Sequence, residues 1–174
     1  MTGDAVYFPG LDLPVQEAGE TNRVRMTCAW PRVVDALAAA AADACTVPVS
    51  NGDMLDQDAH QVFMELGIAS GDEGRAGRLD TAHHDLGQSS PPRGESGRIE
   101  GTIVAQSGDI DLGAVQAAAF AVWDAVAATV RANPSLGVDG VLWVELAAVD
   151  VYRGRSPDGA FCELRIAATY EALT

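Results

Sequence analysis

The sequence predicts an α+β fold: an antiparallel or mixed β-sheet packed with two α-helices, with a long loop and an N-terminal arm. Two segments, 30–45 and 112–132, carry apolar residues at helical spacing. Three others, 98–107, 141–151 and 161–172, alternate apolar and polar residues as half-buried strands do. The last two are joined by a short turn, which pairs them antiparallel, and no regular strand–helix–strand alternation imposes a parallel sheet. At 174 residues, 48% hydrophobic and 21% charged, the chain can bury one core without a metal or a disulfide.

Residues 1–24 hold Gly3, Pro9, Gly10, Pro14 and Gly19 among scattered acids and keep no period. They read as an irregular arm ahead of a single domain over 25–174, with a short strand at 24–27. Pro31 suits the first turn of a helix, where its missing N–H costs nothing. From Trp30 the residues Val33, Val34, Leu37, Ala41 and Ala44 share one face, and the alanine run favours the helix and a close neighbour. That helix ends near Cys45, because 46–49 is β-branched and contains Pro48. A polar turn over 50–58 leads to a strand at 61–69 with Val62, Phe63, Met64, Leu66 and Ile68.

The stretch 70–96 is a long polar loop punctuated by Gly71, Gly74, Gly77, Gly87, Gly94 and the pair Pro91-Pro92. Loops of this length are usually functional or disordered. Within it, 78–86 has strand character and would form a hairpin with the strand before it. In 98–107, Ile99, Gly101, Ile103 and Ala105 face one way and Arg98, Glu100 and Thr102 the other. After a turn at 107–111, Asp111 is placed to cap a helix over 112–132. Its stripe is Val115, Ala119, Val122, Val126 and Val130, widened by Phe120, Trp123 and Ala127, and Asn133-Pro134 stops it. In 141–151, strict alternation puts Val141, Trp143, Ala147 and Val149 on one face and Leu142, Val144 and Leu146 on the other. A turn at 154–159 closes the hairpin onto 161–172.

The net charge is −14 and the pI about 4.3. All 11 basic residues are arginine. This balance argues against a surface that grips nucleic acid or anionic lipid, both of which need clustered cations. A surface that faces DNA without gripping it remains compatible. The opening MTGDAVYFPG lacks the basic start and apolar run of a secretory signal, and no apolar run approaches the roughly 18 residues of a membrane span. The expectation is a protein made and folded in a cytoplasm, with no membrane partner.

The sequence points to no catalytic, cofactor-binding or metal-ligating residue. There is no GxGxxG after a strand, no GxxxxGK[ST], no GxSxG and no HExxH. His83-His84 lies beside Asp80 and Asp85, and His60 stands apart; neighbouring residues of a strand point to opposite faces, so shared ligation by the pair is awkward. Asp53, Asp56 and Asp58 resemble a calcium loop only loosely, without the glycine and bidentate glutamate at the required offsets. Asp109 and Asp111 suit acid–base work less well than capping the positive end of the next helix. Cys28, Cys45 and Cys162 form no CxxC pair, lack an obvious base and read as reduced thiols. Trp30, Trp123 and Trp143 read as core or interface anchors. From the residues alone the chain is an acidic α+β domain with an assembly or interaction role, and no enzyme.

Two blocks carry a family resemblance. VVDALAAAAADACTVPV, followed by a polar turn and QVFMELGI, resembles the opening of tail terminator proteins of long-tailed, siphovirus-type phages, especially those of actinobacteria. RIEGTIVAQSGDIDLGAVQAAAFAVWDAVAATVRANPSLGVDGVLWVELA resembles that family's strand, SGD turn, long helix and P-x-L-G stop, and ELRIAATYEAL its closing strand. The likeness covers residues 32–174 and is densest over 98–143.

The resemblance implies a structural virion protein of the neck region, assembled in the host cytoplasm. It implies a homo-hexameric ring at the head-proximal end of the tail tube that ends tube polymerisation and meets the head–tail connector protein. Genomic DNA would pass through the lumen without specific binding, and six acidic subunits would present it with a repelling wall. The arm at 1–24 and the loop at 70–96 are longer than the family pattern and would reach a neighbouring subunit, the tube or the connector. The alternatives are a head–tail completion protein at the connector and, from a different class, a small hydrolase using aspartate or histidine.

Overall fold

The computed structural model describes residues 28–52, 61–67, 77–83 and 93–173. Their order is α1 (Trp30–Ala44), β1 (Val49–Asn51), β2 (Val62–Leu66), β3 (Gly77–His83), β4 (Arg93–Ser107), α2 (Leu112–Ala132), β5 (Val141–Ser156) and β6 (Gly159–Leu173). The six strands make one mixed sheet in the order β1-β2-β4-β6-β5, with β3 also on β4. Only β1 and β2 run parallel. The fold is α+β, with both helices in the same core as the strands. The expected arm at 1–24, the strand at 24–27, and Ile68, Asp53, Asp56, Asp58, His60 and His84 lie outside the described residues.

Both helices form where the spacing places them. α2 begins after Asp111, whose Oδ1 accepts from the N–H groups of Gly113 at 2.8 Å and Ala114 at 3.2 Å. Such a cap contributes about 1 kcal/mol. The buried stripe of α2 is Val115, Ala119, Val122, Val126, Ala127 and Val130; that of α1 is Val33, Val34, Leu37 and Ala41. These stripes share one core with Met64 and Leu66 of β2, Ile99, Ile103 and Ala105 of β4, and Cys162, Leu164, Ile166, Ala168 and Tyr170 of β6. After the helix stop, Leu136 takes φ +52° and Gly137 φ +70°. That conformation is uncommon for leucine, whose side chain is held by packing against the core. By length and apolar composition alone α2 could cross a membrane, with a mean hydropathy of 1.4, contrary to the expectation that no segment approaches a span. Its alanines raise that average, and its valine stripe is buried in the protein core.

Three expectations about the strands need correction. The first concerns the 70–96 stretch. β3 does lie inside it, but pairs with the following strand: Gly77 is opposite Ile99 and His83 opposite Arg93. β4 accordingly starts at Arg93, so its first four residues come from the expected loop. Both β2 and β3 lie antiparallel on the same side of β4, β2 along 101–105 and β3 along 93–99. They act as two pieces of one edge partner, interrupted by the segment that joins them.

The second concerns 46–58. Strand pairing here covers Val49–Asn51 and so runs two residues into the expected polar turn, because Ser50 and Asn51 continue the ladder opposite Glu65 and Leu66.

The third concerns the faces of β5. Register shifts fall between Val141 and Trp143 and again between Leu146 and Ala148. Each extra residue resets the alternation. Val141 and Val144 are therefore buried together in the core, while Leu142 is 53% exposed.

Candidate interaction surface

The residues singled out for chemistry have mostly structural surroundings. Asp111 caps α2, and exposed Asp109 lends its backbone carbonyl to the N–H of Ala160 at 2.9 Å. His83 sits in β3 opposite Arg93, and its neighbour His84 is outside the described residues. Cys45 donates its thiol to the Ala41 carbonyl at the end of α1, 2.9 Å away. Cys162 is buried in the core. Burial raises the pKa of both Cys28 and Cys162, which keeps the thiol protonated and a poor nucleophile. Trp143 donates from Nε1 to Glu171 at 3.1 Å, while Trp30 and Trp123 pack at the margin of the core. Among the described residues, no group of three or more His, Cys, Asp or Glu side chains is arranged to hold a metal.

One polar cluster leaves little signature in the sequence. Glu95, 3% exposed, points inward from β4 at the N-terminus of α1. Its carboxylate accepts from the N–H of Ala29, 2.9 Å from each oxygen, from the N–H of Trp30 at 3.0 Å and from the Tyr170 hydroxyl at 2.6 Å. α1 has no local side-chain cap and no acid in its first turn. Glu95 supplies both from 66 residues away, where the helix dipole favours a negative charge. Gly97, two residues on, leaves the space that the Tyr170 ring fills; a Cβ there would lie 2.3 Å from the ring. The signal in the sequence was faint: a glutamate flanked by glycines in a polar stretch reads as solvent-facing.

Burial and the hydrogen bond to Glu95 push the Tyr170 hydroxyl well above the ordinary tyrosine pKa. Below pH about 10 the phenol keeps its proton in both folded and unfolded chains. Above it, the unfolded chain releases a proton that the folded one retains, so stability falls as pH rises. Cys28 and Cys162 act with the same sign from slightly lower pH. Denaturant titrations at pH 9 to 11 should show this loss, with Tyr170 adding a slope of up to about 1.4 kcal/mol per pH unit above pH 10. Tyr170→Phe should remove that added slope.

Most of the exposed large hydrophobic side chains among the described residues belong to two adjoining strands. Leu142, Val151 and Tyr152 stand on β5 and Phe161 and Leu173 on β6, while Ile110, 71% exposed, stands in the 107–111 turn. The sheet face away from the helix layer bears the ion pairs Arg78–Asp80, Arg98–Glu100 and Arg165–Glu163, with the Arg165 guanidinium 4.3 Å above the Tyr152 ring. A shallow depression of about 220 Å³ opens there between Arg78, Arg98, Trp143 and Glu171. β5 closes the strand order, and no described strand pairs with its outer side. Such a surface, with apolar anchors between charged pairs beside an open strand edge, suits contact with another polypeptide. No protein-family model matches the chain, and no curated protein matches it.

Proposed function

We propose that the chain is a structural virion protein that assembles as a homo-hexameric ring at the head-proximal end of a phage tail tube. In this reading the ring ends tube growth, joins the tail to the head connector, and lets DNA pass without holding it. The observation that carries the reading is the block Arg98–Trp143, whose strand, SGD turn, long helix and P-x-L-G stop resemble the tail terminators. That block corresponds to β4, the 107–111 turn, α2 and the turn after it. The turn also seats the tip of the β5–β6 hairpin through the bond from Ala160 to Asp109. The apolar side chains standing out on β5 and β6 add support as surface for a neighbouring subunit, and the charge of −14 suits a wall that repels phosphate.

Native mass measurement tests the proposal. A species of six times 18.1 kDa, alone or after addition of tail tubes, is the expected result. A strictly monomeric protein that neither caps tubes nor enters virions would overturn it. A twelve-fold ring binding tailless heads would move the assignment to a connector-completion protein.

A further inference from the structure

Among the described residues, no strand lies on the outer edge of β5 where that strand is most regular. Along 149–156 the ladder to β6 has no bulge, and no described strand meets the other side. A long open edge presents rows of donors and acceptors that template a further strand, and proteins normally blunt or cover it. Apolar side chains gather at the same place. Val151 is 46% and Tyr152 44% exposed, and as neighbours they lie on opposite faces of the strand, so an added strand would shield both.

Charge narrows the choice of occupant. Arg153 donates to Gln116 Oε1 and Arg155 to the carbonyl of Ile110, both neutral oxygens. Among the described residues neither arginine has a carboxylate partner. The edge thus suits an extended segment that carries β-forming side chains and an acid.

Residues 4–8, Asp4-Ala5-Val6-Tyr7-Phe8, have that chemistry, and residues 1–22 carry Asp4, Asp12, Glu17 and Glu20 with no arginine. They join the described chain at Cys28, beside Glu95, which is opposite Ala172, itself opposite Val141. That is the end of the sheet where β5 begins. Val151 pairs with Leu164, eight residues along β6 from Ala172 and about 26 Å away along the strand. The open stretch therefore lies toward the opposite end of the sheet from Cys28. The 20 residue steps from position 8 to Cys28 span up to about 66 Å, more than that separation, so length admits either the same or a second copy; the homo-hexameric ring proposed above, in which copies must hold one another, selects the second copy.

We propose that residues 149–156 of β5 accept residues 4–8 of a second copy as an additional strand, with Asp4 toward Arg153 and Arg155. Backbone hydrogen bonds would supply the affinity, and Val6, Tyr7 and Phe8 would cover Val151 and Tyr152. The contact deepens the ring reading by naming the surface through which copies hold one another, and it is tested separately from the ring.

The test uses the full chain. Val6→Cys and Val151→Cys variants are mixed and oxidised, as are Ala5→Cys and Tyr152→Cys, so that each new cysteine pair can form only between copies. The expected result is a disulfide-linked dimer in a mixture that exceeds the background of either variant alone at least tenfold. The full-chain Ala5→Pro variant, which loses a backbone donor, should speed amide exchange over 149–156 at least tenfold. No excess dimer in any pairing, or a bond that forms only when both cysteines share one chain, overturns the proposal. A native hexamer without cross-links would discard the strand exchange and leave the ring reading standing. A cross-linked species that never closes a ring would support the exchange and count against the ring.

Discussion

Glu95→Ala should remove about 3–5 kcal/mol of folding stability, the largest loss expected from any single side chain outside the apolar core. Truncation strands the N–H groups of Ala29 and Trp30 and the hydroxyl of Tyr170, all of which point at the missing carboxylate. A buried donor left without a partner costs about 1–3 kcal/mol, and three are affected. The helix also loses the negative charge at its N-terminus. Glu95→Gln keeps the shape but turns an NH2 group toward donors, so it should recover only part of the loss. Tyr170→Phe removes one bond of the cluster and should cost about 1–2 kcal/mol. Equilibrium unfolding in urea, with circular dichroism as the readout, checks all three. A loss below about 1 kcal/mol for Glu95→Ala would mean that solvent already satisfies the end of α1.

Gly159→Ala should cost about 3 kcal/mol or more, for two separate reasons. Gly159 has φ +129°, a conformation that only glycine adopts readily. Its missing side chain also leaves room for the neighbouring turn, since a Cβ would stand 1.9 Å from the carbonyl oxygen of Ser107 and 2.8 Å from the Cα of Gly108. Both obstacles are backbone, so relief requires the hairpin tip to lift from the turn that leads into α2. Gly108→Ala is the matched control: a Cβ there meets nothing within 4 Å, and its cost should stay within about 1 kcal/mol. For a chain of this size the Gly159 variant should melt about 6–12 °C lower, readable by calorimetry. Equal melting temperatures for the two variants would show that the tip is not seated on the turn.

The sequence showed clearly whatever depends on local spacing. α2 runs over the predicted 112–132 because its valine stripe, the Asp111 cap and the Asn133-Pro134 stop all speak for the same boundaries. α1 was equally plain from Pro31 and the alanine run. What depends on a distant partner was hidden. The polar residues at the start of β4 looked like loop because Gly94, Gly97 and Glu95 have no strand preference of their own; β3 and β6 pair with them on either side and impose the conformation. The two register shifts in β5 lie in residues that alternate acceptably without them, so only the pairing with β6 exposes them. The role of Glu95 required knowing that its strand starts beside Ala29.

That cluster has a mechanical consequence. Tension applied through the first 27 residues would enter the described chain at Cys28 and reach Ala29 and Trp30, whose N–H groups are fastened to Glu95. From there it passes into β4, which is bonded to β6 along 94–107 and to β2 and β3 on the other side. To release the strand, ladders on both sides must slide together, a far stiffer arrangement than peeling the outer strand of a sheet one bond at a time. A copy pulled by its N-terminal segment would therefore transmit the force to the centre of its sheet before α1 began to unravel.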